Sequence, residues 1–357
     1  RAMGGVRRAR EFVEHTGERL FRTLAFSWVA ARFVDDAELP ADLRGACVLH
    51  GVAPPGVERA LRDGPGGAPG RAFVAGLPPE AEGFHLLGPE TGLATAEHRQ
   101  VLGQCLTRGG RVVGELLGGA KKGADPGVSS YDARLFAAAA SYLDAFLDNA
   151  ALYAEQEATF LGTVRALAAA IDAKDRYTRG HSERVALLSH ALALASGMSA
   201  EQAEVVRVAG LVHDVGKIGV PERVLTKCGR LSDEEFALIK QHPEIGHNIL
   251  KDIPGLRAML PGVLHHHERW DGKGYPHGLA GESIPRIARI IGIADTFDAM
   301  SSTRSYRPAM DRARVLAEVA RCAGTQFDPV LVPPFLTLDL TRYDQLVALA
   351  EPQAVYA

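Results

Sequence analysis

The sequence predicts an α/β amino-terminal domain, joined by one long helix to an all-α carboxy-terminal domain. Three observations predict this organisation. Short apolar runs in residues 1–130 are separated by Gly- and Pro-rich turns, which is typical of strands. Residues 131–174 repeat apolar side chains every three or four positions without Pro, and residues beyond 180 follow a helical pattern. We therefore expect domains at 1–150 and 176–357, with the connecting helix over 131–175.

The amino-terminal half predicts one helix followed by several strands. An amphipathic helix is expected over residues 11–33. Strands are expected over residues 45–51, 71–76, 84–88, 101–106 and 111–120. Short strands joined by Gly- and Pro-rich loops favour an antiparallel sheet with flanking helices.

The connecting helix carries a heptad seam. Its apolar positions are Phe136, Ala139, Leu143, Phe146, Ala150, Tyr153, Phe160, Val164, Leu167 and Ile171, with one polar interruption at Glu157. A seam of this length is typical of a coiled coil, so we expect a homodimer through residues 131–175. The alternative is a helix that buries this stripe against the two domains of its own chain.

The carboxy-terminal half predicts helices interrupted by Gly and Pro. They are expected over residues 181–196, 200–215, 232–251, 256–268, 284–301 and 311–323. The interruptions include Gly229, Pro254, the Gly-rich stretch 272–281 and Pro308.

Composition is that of an ordinary globular protein. Of 357 residues, 46% are hydrophobic and 23% charged, and 40 basic against 43 acidic side chains give a net charge of −3. This balance lacks the excess of positive charge that is typical of proteins that bind nucleic acid or an anionic membrane. No apolar run approaches the roughly 18 residues of a membrane span. The 4 cysteines are isolated, which fits a reducing compartment. We expect a cytoplasmic protein, and whether residues precede Arg1 stays open.

Nine of the 13 histidines fall between residues 181 and 277. Because histidine is the commonest metal ligand, we expect the chemistry of the protein in this stretch. The adjacent His213 and Asp214 can both bind a transition metal, and the carboxylate can bridge two ions. Lys217 follows four residues after His213, where its ammonium would lie beside an anionic ligand. An isolated His-Asp pair is a weak signal, so the function depends on further donors.

These further donors lie on separate predicted helices. The candidate ligands are His181, His213, Asp214, His242, His266, His267 and Asp295. Asp295 lies in an apolar segment, where a carboxylate is costly to bury unless it is paired or metal-bound. Five imidazoles and two carboxylates exceed one tetrahedral zinc and suit two octahedral ions, with iron or manganese favoured. We expect the other histidines of this stretch to be structural, namely His190, His247, His265 and His277.

An ordered series of motifs covers residues 172–334. The motifs are His181-Ser182, His213-Asp214 with Gly216-Lys217, Leu231 to Glu235, His242-Pro243, Gly274-Tyr275-Pro276, Ala294-Asp295, Asp298-Ala299, Arg304 to Arg307 and Gly324 to Pro329. In this order they resemble the HD-GYP domain, a subgroup of the HD phosphohydrolase superfamily. The resemblance implies hydrolysis of cyclic di-GMP at a cluster of two or three metals, often iron.

The resemblance also implies roles by position. The seven candidate ligands match the metal ligands of the family, with Asp214 as the bridging carboxylate. Lys217, Arg304 and Arg307 match positions that hold the phosphates of the substrate, and Asp214 and Lys217 are the expected catalytic residues. Members with three metals have a Glu where this chain has Tyr177, so we favour two divalent ions over three.

The expected reaction follows from charge. Two cations neutralise a phosphodiester anion and lower the pKa of a bridging water toward 7, which would give linear pGpG and, after a second cut, GMP. Tyr275 is expected to bind substrate, and its Gly-rich loop with Trp270 and Asp271 to contact a protein partner such as a diguanylate cyclase. The alternative is a loop that only packs well. The rival functions are an HD-superfamily phosphohydrolase acting on (p)ppGpp or a mixed cyclic dinucleotide, and a receptor that binds cyclic di-GMP without cutting it.

The amino-terminal half resembles a GAF sensory domain more weakly. The resemblance rests on residues 111–116 as a late strand and residues 131–153 as a closing helix. It implies either ligand binding or dimerisation, and no residue set identifies a ligand. We favour a dimerisation scaffold, with the continuous helix as the route by which a signal would pass.

Overall fold

The structure is a computed structural model of the chain. It describes residues 9–24, 26–37, 39–65, 72–74, 84–94, 100–122, 127–174, 180–227, 229–302 and 309–350. The chain divides into a first unit, residues 1–159, and a second unit, residues 160–357. Among the described residues, no helix combines the length and the apolar character that crossing a bilayer requires.

The first unit is built on a five-stranded antiparallel sheet. Its strands are β1 (Phe26–Phe33), β2 (Cys47–Gly51), β3 (His85–Leu87), β4 (Val101–Arg108) and β5 (Arg111–Lys121), in the order β2-β1-β5-β4-β3. The described helices are α1 (Ala9–Thr23), α2 (Pro55–Asp63), a 3₁₀ turn (Pro89–Thr91) and the first part of α3 (Ser130–Lys174). One apolar core contains Val13 of α1 and Phe136 of α3, and a second contains Trp28 of β1 with Leu61 of α2.

The predicted helix over residues 11–33 is wrong beyond Thr23. Residues Phe26–Phe33 form β1, which pairs with β2 on one side and β5 on the other. All but one residue of β1 are buried, including Arg32, so its largely apolar sequence does not alternate between apolar and polar residues. Periodicity alone does not distinguish such a strand from a buried helix. Within the predicted strand over 71–76, the described residues 72–74 form a turn instead.

Helix α3 buries both ends of its heptad stripe within its own chain. Phe136 and Leu143 belong to a core of the first unit, while Val164 and Ile171 belong to the core of the second unit. Between these ends the helix is largely exposed, and Tyr153 is 70% exposed. Within the part of the chain that the structure describes, burial of the predicted seam is therefore weakest at its middle, around Tyr153.

The regular elements among the described residues of the second unit are all helices, joined by loops. Its α-helices after α3 are α4 (His181–Ala195), α5 (Ala200–Val212), α6 (Glu222–Leu225), α7 (Asp233–Ile239), α8 (His242–Leu250), α9 (Leu260–His265), α10 (Arg286–Ser301), α11 (Arg312–Arg321), α12 (Val332–Leu336) and α13 (Thr341–Ala350). Short 3₁₀ helices are Val215–Gly219, Pro254–Leu256 and Gly281–Ser283. One core, which includes Leu192, Leu211 and Phe297, holds these elements together.

Two helices of this unit differ from their predicted bounds, in each case next to a proline. The helix expected over 232–251 is two helices, because α7 ends at Ile239 and α8 begins at His242 with Pro243 in its first turn. The helix expected over 256–268 begins only at Leu260, where Pro261 is again in the first turn. Proline lacks an N–H donor and therefore fits the first turn but interrupts a helix interior.

Gly216 allows the segment after His213-Asp214 to pack closely against the helix that begins at His242. A Cβ atom at this position would lie 1.8 Å from the carbonyl oxygen of His242 and 2.5 Å from the nitrogen of Gly246. The 3₁₀ helix after Asp214 therefore contacts the backbone of α8 directly, which only glycine allows.

Candidate metal centre

Three histidines of the second unit are oriented by the ends of helices. The last carbonyl groups of a helix lack an intrahelical partner. In each of these three cases, the imidazole of a histidine contacts the carbonyl oxygen of the residue three positions before it. These contacts are His213 Nδ1 to the oxygen of Gly210 at 2.7 Å, His242 Nδ1 to the oxygen of Ile239 at 2.8 Å, and His266 Nδ1 to the oxygen of Val263 at 2.8 Å. A carbonyl oxygen only accepts, so Nδ1 carries the proton and Nε2 keeps its lone pair for a ligand.

The Nε2 atoms of these histidines converge on Asp214. His242 Nε2 lies 3.2 Å from Asp214 Oδ1, and His213 Nε2 lies 3.4 Å from Asp214 Oδ2. The Nε2 atoms of His242 and His266 are 3.2 Å apart. Since both nitrogens present lone pairs, this approach is favourable only with a cation or proton between them. Two imidazoles bound to one ion at about 2.1 Å each would have a comparable separation.

His181 and Asp295 complete the cluster from α4 and α10. His181 Nε2 lies 3.3 Å from Asp295 Oδ1 and 3.6 Å from Asp214 Oδ2, and His213 Nε2 lies 3.9 Å from Asp295 Oδ1. The donors form two groups, Asp214 with His242, His266 and His267, and His181 with His213 and Asp295. Within each group the ligand atoms lie within 4.8 Å of one another. Asp214 touches members of both groups, as a bridging carboxylate must.

The residues present fit divalent metal ions. The Nε2 atoms of His181 and His213 are buried and have no hydrogen-bond partner among the described residues. A buried polar atom without a partner is costly, and a metal would satisfy both nitrogens at once. The donor set contains imidazole and carboxylate and no thiolate, which suits iron, manganese or zinc.

Both carboxylates of the cluster stay ionised. Burial disfavours their charged forms, but Lys217 and His213 hold the pKa of Asp214 well below its usual range. Burial also disfavours the charged form of Asp295, but its interactions with His181 outweigh burial and hold its pKa well below its usual range. Two negative charges, one buried and one half-buried, thus face the histidine nitrogens and attract cations.

The pKa values of the clustered histidines are shifted in opposite directions. Burial disfavours charge on His181, but attraction from its carboxylate neighbours, Asp295 first and then Asp298, outweighs burial and raises its pKa to about 10. Burial beside the other imidazoles lowers the pKa of His266 well below its usual range, and that of His267 to about 3. The last two are therefore neutral at pH 7, as metal ligands must be, whereas a metal at His181 would replace a proton.

Asp298 orients His181 through the ring nitrogen that points away from the cluster. This buried carboxylate was not among the candidate site residues. Asp298 Oδ2 accepts from His181 Nδ1 at 2.7 Å and from Arg184 at 2.9 Å, and its Oδ1 accepts from Arg184 Nε at 2.6 Å and the Tyr343 hydroxyl at 2.8 Å. These bonds fix the imidazole with Nε2 toward the cluster. Asp298 lies next to Phe297 in an apolar helix, so the argument applied to Asp295 would have identified it too.

Lysines support the cluster from the side of the 3₁₀ helix Val215–Gly219. Lys217 Nζ lies 2.6 Å from Asp214 Oδ2. Lys174, the last residue of α3, donates from Nζ to the backbone oxygens of Lys217 at 3.2 Å, Ile218 at 2.7 Å and Val220 at 2.9 Å. Sequence patterns do not indicate the role of Lys174, because its three acceptors are main-chain atoms of a distant segment.

A cavity of about 270 Å³ adjoins the cluster. Tyr275 lies in its wall and stacks on His267, with ring centroids 4.7 Å apart. Phe236 and Lys240 line the same cavity, which thus joins aromatic surface and positive charge to the ligand His267. Such a wall suits a nucleotide base with an attached phosphate.

The remaining sequence-predicted residues fall into two groups. Arg304, Arg307 and Tyr177 lie outside the described residues. His190 and His247 belong to neither donor group of the cluster, and His265 and His277 form a separate group with Glu268.

The second unit is similar to a known family of domains. Residues 165–331 match the HD domain family. Every residue of the histidine-aspartate cluster lies inside the matched region.

The relatives of this domain are named as phosphodiesterases. The cyclic di-GMP phosphodiesterase of Thermotoga maritima is 41% identical over 168 residues, which cover 46% of each chain. The cyclic di-GMP phosphodiesterase response regulator RpfG of Xanthomonas campestris is 39% identical, over 49% of this chain and 47% of the relative. The 3′3′-cGAMP-specific phosphodiesterase 2 of Vibrio cholerae is 36% identical, over 51% and 35%. The matched region thus spans about half the length of these relatives or less.

Proposed function

We propose that the HD domain hydrolyses the phosphodiester bonds of a cyclic dinucleotide in a metal-dependent reaction, with cyclic di-GMP as the substrate. The observation that carries this proposal is the convergence of His213, His242 and His266 on Asp214, each with Nδ1 tied to a carbonyl and Nε2 directed inward. The names of the relatives supply the class of substrate.

The cluster would hold two divalent ions, with iron or manganese favoured. Bound there, such ions supply positive charge for a phosphodiester anion and acidify water. The ligands we assign are His181, His213, Asp214, His242, His266, His267 and Asp295. A third ion is disfavoured because Tyr177 stands where three-metal members have a glutamate.

The side chains of this chain then bind and orient the substrate. Lys217, beside Asp214, contributes an ammonium that stabilises charge on a phosphoryl oxygen. Arg304 and Arg307 are assigned to the phosphates by the family resemblance. Tyr275 and the adjoining cavity receive a base, which excludes water from one side of the scissile bond. The first product would be linear pGpG, with GMP after a second cut.

Direct assay tests the proposal. Protein purified without air and loaded with iron or manganese is incubated separately with cyclic di-GMP, 3′3′-cGAMP and ppGpp, and products are separated by chromatography. We expect pGpG from cyclic di-GMP, and metal removal with a chelator should stop its release. The relative that acts on 3′3′-cGAMP makes the mixed dinucleotide the second candidate, and faster cleavage of it would replace cyclic di-GMP. Tight binding of cyclic di-GMP without any cleavage would identify a receptor and overturn the hydrolase.

Lys174→Met is expected to lower kcat about tenfold without changing the metal content. The substitution removes three hydrogen bonds that hold the segment carrying Lys217, and outer positioning groups of this kind typically contribute about 10–100-fold. Lys251→Met, at an exposed lysine of the same unit, is the matched control and should leave kcat unchanged. An unaltered kcat in Lys174→Met would show that this lysine does not position the site.

We assign the first unit a sensory or dimerisation role in the cytoplasm, of the GAF-like kind that the sequence resembles. The exposed middle of α3, which includes Leu152 and Tyr153, supports a homodimer contact of about two helical turns rather than five heptads. The loop containing Tyr275 is assigned a contact with a protein partner such as a diguanylate cyclase. Light scattering of the full chain measures the proposed dimer.

A further inference from the structure

A second group of metal-ligand side chains lies outside the cluster described above. His265 is the last residue of α9, and Glu268 lies three positions further along the chain. His277 lies in the loop after Tyr275. One ligand atom from each of these three residues lies within 4.8 Å of the other two. The ring centroids of His265 and His277 are 5.3 Å apart, and the two ring planes are inclined to each other by 52°.

The carboxylate of this group is buried and lacks a strong cationic partner. The side chain of Glu268 is 0% exposed, and its oxygens accept from the backbone nitrogens of His277 at 2.7 Å and Leu279 at 3.0 Å. Among the described residues, His265 is the one basic side chain within 4.0 Å, at 3.7 Å from Nδ1 to Oε1. A buried carboxylate with so little positive charge around it favours the binding of a cation.

An unpaired nitrogen faces the same carboxylate. His265 Nδ1 is buried and has no hydrogen-bond partner among the described residues. The distance of 3.7 Å to Glu268 Oε1 exceeds that of a hydrogen bond but suits two ligands of one ion, each about 2.0–2.2 Å from it. His277 is exposed, so its ring can turn toward an arriving ion.

We propose that His265, Glu268 and His277 form a separate zinc site that clips the loop containing Tyr275 to the end of α9. Two imidazoles and one carboxylate, with a water as the fourth ligand, are a donor set typical of tetrahedral Zn²⁺. The clip joins the two ends of the stretch 265–277, which includes the wall of the cavity formed by Tyr275. The site does not depend on the proposed hydrolase function.

Zinc binding by the full chain and four variants of it tests this site. Equilibrium dialysis with Zn²⁺ followed by elemental analysis compares the wild type, His277→Ala, Asp214→Ala, and His190→Ala as a matched histidine control. We expect His277→Ala to lose one zinc per chain relative to the wild type, and His190→Ala to lose none. His277 is exposed, so its replacement preserves the fold. Asp214→Ala should still bind the zinc that depends on His277, which the double variant Asp214→Ala/His277→Ala would lack.

The same measurements distinguish this site from the main cluster and from adventitious binding. Equal zinc content in the wild type and His277→Ala overturns the proposal, whatever the activity of either protein. An equal loss in His190→Ala, which replaces a half-buried histidine outside both donor groups, would mean that histidines of this unit bind zinc without a built site, and would also overturn the proposal. Hydrogen exchange supplies a second readout. Zn²⁺ should slow exchange of the amides of residues 270–279 in the wild type but not in His277→Ala, and unchanged exchange in the wild type would refute the clip.

Discussion

Replacing Asp214 with alanine is expected to abolish hydrolysis of cyclic di-GMP and to reduce the bound metal. The carboxylate lies 3.2 Å from His242 Nε2, 3.4 Å from His213 Nε2 and 2.6 Å from Lys217 Nζ, and thus contributes to both donor groups. Metal ions contribute several kcal/mol of charge stabilisation in such reactions, which corresponds to a loss of about 10³-fold or more in kcat. Product release and elemental analysis of the same samples measure the two effects.

Two further variants make the Asp214 result specific. Asp214→Asn keeps the volume of the side chain but removes its charge, and we expect it to lose metal and turnover nearly as completely. Asp252→Ala removes an exposed carboxylate of the same unit and should match the wild type in both measurements. An Asp214→Ala protein that keeps its full metal content would show that the histidines bind metal without this carboxylate. Unchanged turnover would refute the assigned centre.

The ligand residues could be identified from the sequence because their chemistry is unusual for their positions. Five histidines and two aspartates on separate predicted helices have few structural uses, and Asp295 stood out within an apolar segment. The structure brings all seven together. What the sequence could not provide is the orientation of each ring. The protonation of His213 Nδ1 depends on the oxygen of Gly210, which is available only because α5 ends at Val212.

The errors in the fold have equally specific causes. Strand β1 is buried on both faces, so it lacks the alternation that identifies a strand. Pro243 and Pro261 mark helix starts that a hydrophobic pattern alone extends across. Lys174 and Asp298 act through atoms brought close by folding, and their partners are 43 or more positions away in the chain. Pattern analysis finds residue types at regular spacing, whereas such contacts require the tertiary structure.

Asp298→Ala is expected to cause the largest loss of stability among the substitutions considered. The carboxylate is 1% exposed and accepts hydrogen bonds from His181, Arg184 and Tyr343. Removing one member of a buried ion pair leaves its partner charge poorly compensated, which typically costs about 3–5 kcal/mol in the free energy of unfolding. Urea unfolding of metal-free protein measures this loss without the stabilisation that bound metal adds.

The dependence of this loss on pH tests its electrostatic origin. Burial disfavours the charged form of Asp298, but His181 and Arg184 outweigh burial and hold its pKa well below the usual value. Because the folded-state pKa is depressed, the stabilisation is fully present above the unfolded-state pKa of about 3.9 and is lost as pH falls toward the folded-state pKa. The difference between wild type and Asp298→Ala should therefore be constant from pH 7 to about pH 5 and shrink at lower pH. A difference independent of pH down to pH 2 would indicate lost packing instead.

The same substitution should also weaken metal binding, because His181 loses the acceptor that fixes its ring. Loss of such an outer partner typically lowers metal affinity about 10–100-fold. Asp298→Asn separates the two effects, since the amide oxygen still accepts from a neighbour and fills the same space while the charge is gone. We expect Asp298→Asn to unfold at higher urea than Asp298→Ala and still to bind metal more weakly than the wild type. Wild-type metal affinity in a folded Asp298→Asn protein would show that the orientation of His181 does not depend on this carboxylate.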